Sequence, residues 1–80
     1  MKNNLSNLLP NDCAIISGFD SELQSRMRRR LQDIGLIVGT KVQCLQKSPA
    51  GDPTAYLFRG AVFALRCDDT KFVQIREVLV

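Results

Sequence analysis

Residues 49–53 read Pro-Ala-Gly-Asp-Pro, and few pentapeptides restrict a backbone as strongly. Pro49 and Pro53 each hold φ at about −65° and donate no hydrogen bond. Gly51 admits conformations closed to other residues, and the carboxylate of Asp52 can bond the backbone beside it. Strand-like runs flank the pentapeptide at 41–47 and 54–58. The chain is therefore expected to reverse here, as a β-hairpin with a rigid tip.

The same texture recurs along most of the chain. Short apolar runs at 13–18, 61–66 and 73–78 join the two around the pentapeptide, giving five expected strands. Turn signals separate them: Pro10-Asn11-Asp12, Arg59-Gly60 and Asp68-Asp69-Thr70. The last is expected to open a single helical turn that carries Phe72 inward. Leu5, Leu8 and Leu9 are expected to tuck the N-terminal segment against the body, and 36–40 reads as a connector.

One helix interrupts this pattern. Ser21 reads as its N-cap, with Gln24 completing a capping box and Glu22 placed where the helix dipole favours an acid. Leu23, Met27, Leu31 and Ile34 fall within roughly one quarter of the helix circumference, which makes a single core-facing stripe. Gly35 then stops the helix. Short strands with turn signals every 8–12 residues or so indicate a small sandwich or barrel. The expected fold is mainly β: a small, partly open barrel of about five strands, with one α-helix inserted after the first.

At 80 residues the chain is expected to form a single domain over 1–80. A chain of that length buries only about 60% of the surface its unfolded form exposes, so the core must be small. The apolar and charged fractions, 45% and 24%, suit a folded domain and not a disordered tail. No apolar run reaches the ~18 residues needed to span a bilayer, so no membrane insertion is expected. The opening Met-Lys-Asn-Asn-Leu-Ser-Asn lacks the apolar stretch of a signal peptide. Cys13, Cys44 and Cys67 are odd in number and widely spaced, which argues against a disulfide framework or a zinc site. Free buried thiols in turn suggest a reduced, cytoplasmic setting.

Chemistry-bearing patterns are sparse. The chain has no histidine, which removes the commonest nitrogen ligand for transition metals and the usual general base near neutral pH. No carboxylate pair occupies one helix face, and no phosphate-binding loop occurs. No catalytic, metal or cofactor site is expected. Two surfaces remain as candidates for partner binding. The first is the hairpin tip, shaped by Pro49, Gly51, Asp52 and Pro53, since a rigid turn loses little entropy on docking. Leu45 and Tyr56, read as outward-facing by strand alternation, would extend it as an apolar patch. The second is the exposed helix face, where Arg26 and Arg29 stand with Arg28, and where Glu22–Arg26 and Arg29–Asp33 are opposite-charge i,i+4 pairs. Arg30 borders the apolar stripe. A net charge of +3 permits nucleic acid as a partner without requiring it. No aromatic lies on the helix to stack a base.

Taken in order, these elements resemble a known pattern. It comprises the strand with Ile15 and Gly18, the helix end Arg30-Leu31-Gln32-Asp33-Ile34-Gly35-Leu36, then Gly39, the 49–53 turn, Gly60 and Ala64-Leu65-Arg66. In this arrangement the chain resembles the FeoA family of ferrous iron transport proteins from about Leu8 to Val78. It departs at Val38, where the family commonly carries proline, and at Asn11, where glycine is common. The resemblance implies an SH3-like barrel. It also implies a cytoplasmic, non-enzymatic accessory role beside a membrane ferrous iron permease that bears a GTP-binding domain, with no nucleic-acid partner. It leaves the oligomeric state open. The alternatives are a small barrel that binds nucleic acid and, with less support, direct binding of iron.

Overall fold

The computed structural model describes residues 4–78. Residues 1–3, which open the segment read above as lacking a leader, lie outside them. A 3₁₀ turn over Leu5–Asn7 precedes β1 (Cys13–Phe19), α1 (Ser25–Asp33), β2 (Lys41–Lys47), β3 (Thr54–Phe58), β4 (Ala61–Leu65), α2 (Cys67–Thr70) and β5 (Val73–Glu77). The strands form one sheet in the order β4-β3-β2-β1-β5, antiparallel throughout. The five expected strands and the inserted helix are all present. The helical turn after β4 is present too, starting one residue earlier than expected, and Phe72 packs partly buried against the core.

Alternation sets which face is buried. Ala14 and Ile16 of β1, Val42 and Cys44 of β2, and Tyr56 and Phe58 of β3 point inward, with Val73 and Ile75 of β5. Two bulges interrupt the ladder, between the Ile16 and Gly18 pairs and between the Cys44 and Gln46 pairs. Each adds an unpaired residue and sharpens the local bend. The N-terminal segment spans the core between β5 and β3. Asn4 bridges to Gln74 of β5, and from β3 the Tyr56 hydroxyl donates to the Leu5 carbonyl at 3.4 Å. Leu5 and Leu8 are fully buried there, whereas Leu9 turns out to solvent at 55% exposure. The result is a partly open barrel.

The helix begins later than its sequence suggests. The Asp20 side chain accepts from the Glu22 N–H at 3.0 Å, and the Leu23 N–H reaches the Asp20 carbonyl, so 20–23 form a turn. Gln24 keeps ψ at 138° and caps α1 without a side-chain bond. The capping box expected from Ser21 and Gln24 does not form, because Asp20 draws 20–23 into a turn of its own before the helix starts. The apolar stripe holds: Leu23 and Leu31 are buried, and Met27 and Ile34 pack beside them.

The helix stop is as expected. Gly35 adopts φ +100°, its N–H reaches the Gln32 carbonyl, and the Leu36 N–H reaches Leu31 at 2.9 Å. This double bond pattern is a Schellman closure, with Leu36 buried beside Leu31. A Cβ on Gly35 would stand 2.2 Å from Cδ of Arg59, so the glycine also makes room for the β3–β4 turn. That turn is the two-residue loop Arg59-Gly60, with φ +52° and +77°. Asn11, where the resembling family commonly has glycine, sits at φ +75°. Asparagine is among the few other residues that tolerate this region.

Candidate protein-docking surface

The hairpin tip is built by short-range bonds. The Gly51 N–H donates to the Ser48 carbonyl at 2.8 Å, which closes a turn with Pro49 and Ala50 at its centre. The Ser48 N–H reaches the Pro53 carbonyl at 3.1 Å, and the Asp52–Pro53 peptide is cis. Gly51 takes φ +89° with open space around its Cα. Residues 49–53 are all exposed.

Asp52 does something its sequence did not reveal. Its Oδ1 accepts the N–H of Cys67 at 2.8 Å, at the start of α2. Arg66, the N-cap residue of α2, offers no side-chain bond there, so Asp52 caps α2 from 15 residues away. The carboxylate is thus turned toward the body, and it braces the tip against α2 instead of pointing into solvent.

Two residues expected to widen this surface do not. Tyr56 is 1% exposed and lies in the core. Alternation along β3 is unbroken, but it turns Thr54, Tyr56 and Phe58 inward and leaves the smaller Ala55 and Leu57 half-buried, the reverse of the expected faces. Leu45 is half-buried at the bulge in β2. Burial pushes the Tyr56 phenol up to about 12, the nearby hydroxyls of Thr70 and Thr54 offsetting this in part. Among the described residues the buried Thr70 hydroxyl has no partner that meets hydrogen-bond geometry. Burial likewise raises the Cys44 thiol, with Lys47 opposing and Asp12 adding to the effect.

Arg26 and Arg29 stand exposed on α1, as do Arg28 and Arg30. Arg26 and Arg29 do not join the tip in one site, and neither lines the groove beside α2, which Arg30 does. That groove went unread in the sequence. It runs between α1 on one side and the end of β4 and α2 on the other, in two adjoining parts that share Met27 and Asp69. One part, about 210 Å³, is flanked by Arg30 and Arg66. The other, about 380 Å³, is flanked by Glu22 and Asp68. The partial polarity of the helix stripe at Arg30 was the available signal. Which element faces it depends on the crossing of the chain, which no local pattern encodes.

Among the described residues no group of three or more Cys, Asp or Glu is placed to hold a metal ion. Cys13, Cys44 and Cys67 are free thiols. No helix among the described residues is long and apolar enough to cross a membrane.

Residues 3–77 match the family model of the FeoA domain. No curated protein matches the chain significantly. Among solved structures, the FeoA protein from Chlorobium tepidum is 28% identical with a TM-score of 0.87, over 95% of this chain and 70% of that one. FeoA of Stenotrophomonas maltophilia, a prokaryotic SH3 domain protein crystallised with zinc and put forward as an activating factor of bacterial ferrous iron transport, is 28% identical. Its TM-score is 0.79, over 91% of this chain and 88% of that one. A manganese-dependent transcriptional repressor reaches a TM-score of 0.84 at 13% identity, over 94% of this chain and 36% of the repressor. At that identity the likeness is one of fold alone. The partly open barrel is therefore SH3-like, as the sequence resemblance implied.

Proposed function

The chain belongs to the FeoA family, and from that premise we propose that it is a cytoplasmic, non-catalytic accessory protein of ferrous iron transport. Its partner in this reading is the membrane ferrous iron permease, engaged through the cytosolic GTP-binding domain. The match of the family model across residues 3–77 carries the proposal. The exposed, internally bonded tip supports it, because a segment held in shape before contact loses little entropy on binding. In this reading Pro49, Gly51 and Pro53 present the tip, and Asp52 holds it against α2. Arg26 and Arg29 offer a cationic face to acidic groups of the partner.

The test is capture of the permease from detergent-solubilised membranes by the tagged protein, together with ferrous uptake in a strain lacking it. Recovery of the permease and a fall in uptake are expected. Failure of both sinks the proposal. Gly51→Val probes the tip. With φ at +89° a β-branched residue is strained there, costing roughly 1–2 kcal/mol. A folded variant is expected to capture less permease, and undiminished capture would remove the tip from the interface.

A further inference from the structure

The groove between α1 and α2 is bipolar. Arg30 and Arg66 bound one end, Glu22 and Asp68 bound the other, and Asp69 lies where the two parts meet. Its floor is apolar, formed by Met27, Ile34, Leu65 and Phe72, each only partly buried. The groove exists because the α1 backbone stands back from the sheet and reaches the core through side chains. Met27 occupies the middle, and its flexible thioether adapts to the shape of what it meets. The acidic end is not neutralised internally to any useful degree. Lys71 approaches Asp68 at 4.0 Å, but both side chains are well exposed, and such pairs contribute little. Lys71 also lies 5.2 Å over the Phe72 ring and so shades that end of the floor.

We propose that this groove is a docking site for a short peptide segment of a protein partner, acidic at one end, apolar in the middle and basic at the other. Charge complementarity selects this occupant. A segment of one sign would meet repulsion at one end, and a wholly apolar one would leave Arg30, Arg66, Glu22 and Asp68 facing nothing. The nine residues of α1 set the reach at about 14 Å, or four to five residues of extended chain. The inference rests on the adaptor reading only in that the segment belongs to a protein partner.

The probe is a fluorescein-labelled octapeptide with two lysines at one end, two leucines among serines in the middle and two glutamates at the other end. Its reversed sequence and a version with serine for leucine serve as controls. Anisotropy measures affinity, and NMR of the wild-type protein maps the contact. Binding with shift changes centred on the Met27 methyl group and the Phe72 ring is expected, lost when serine replaces leucine. Arg30→Glu combined with Arg66→Glu is expected to weaken binding about tenfold, and a peptide carrying lysines at both ends to recover it. The wild-type NMR map stands if the double variant fails to fold. Absence of binding by either orientation, or shifts centred elsewhere, overturns the proposal. Permease capture without peptide binding would overturn the groove and leave the adaptor reading intact. Peptide binding in the groove without permease capture would do the reverse.

Discussion

β3 and β4 are both five-residue apolar strands, paired over their full length from Thr54↔Leu65 to Phe58↔Ala61. They are buried very differently. In β3, Thr54, Tyr56 and Phe58 are all buried, alternating with half-buried neighbours. In β4 no residue is buried, and Val62 is 60% exposed. Strand order accounts for the contrast: β3 lies between two partners, and β4 is an edge. Apolar content brings a segment into the sheet, but its place in the sheet decides how deep it sits. β4 contributes to the core chiefly through Phe63, which stacks on Phe58 with ring centroids 4.6 Å apart, and through the partly buried Leu65.

Tyr56→Ala gives the strongest way to break the contrast. Removing a ring buried on an interior strand of the sheet should cost roughly 3–5 kcal/mol, read by chemical denaturation. A loss below about 1 kcal/mol would mean that β3 is no better anchored than the edge. The alkaline range sharpens the same point without mutation. Tyr56 is the only tyrosine and there is no tryptophan, so phenolate absorbance reports this one group. Its folded pKa, raised by burial to about 12, lies above the unfolded value of about 10. The resulting stability is fully present below the unfolded pKa and is lost as pH rises through the folded one. Titration of the folded protein with a midpoint near 10 would contradict the burial of β3.

Asp52→Ala tests how the open end of the β3–β4 hairpin is held. Asp52 precedes β3, and the N–H it accepts follows β4. Loss of that bond should cost about 1 kcal/mol and speed hydrogen exchange at the Cys67 amide. Unchanged exchange there would show that α2 does not need the brace. Val62→Ala, on the edge, should shift stability by no more than about 0.5 kcal/mol. A larger loss would mean that β4 is covered in solution.

Sequence patterns were most informative where one local interaction dominates. The helix stop at Gly35 and the Arg59-Gly60 turn were legible because left-handed φ values favour few residues, and the proline-flanked tip because its backbone has few options. The helix start was not legible. Asp20 and Ser21 both suit a cap, and the Asp20 side chain bonded its backbone first. The inward face of β3 was not legible either: both faces carry apolar residues, so alternation alone does not say whether Tyr56 and Phe58 or Ala55 and Leu57 meet the core. Of the candidate surface, the tip and the arginines were legible as residues. The Asp52 cap and the groove beside α2 were not.

Local pattern in the sequence did not reach the 3₁₀ turn over Leu5–Asn7, but it was enough for the five strands, the inserted helix, the helical turn after β4, the tip, the single apolar stripe of the helix and the family. Each of these depends on interactions within a few residues, or on motifs spaced along the chain. The tertiary structure alone decided that Asp52 reaches Cys67, that Arg30 faces Arg66 across a groove ending in acids, and that β4 becomes an edge. These depend on which segments cross in space. That outcome is set by the burial of the whole core and not by any one stretch of chain.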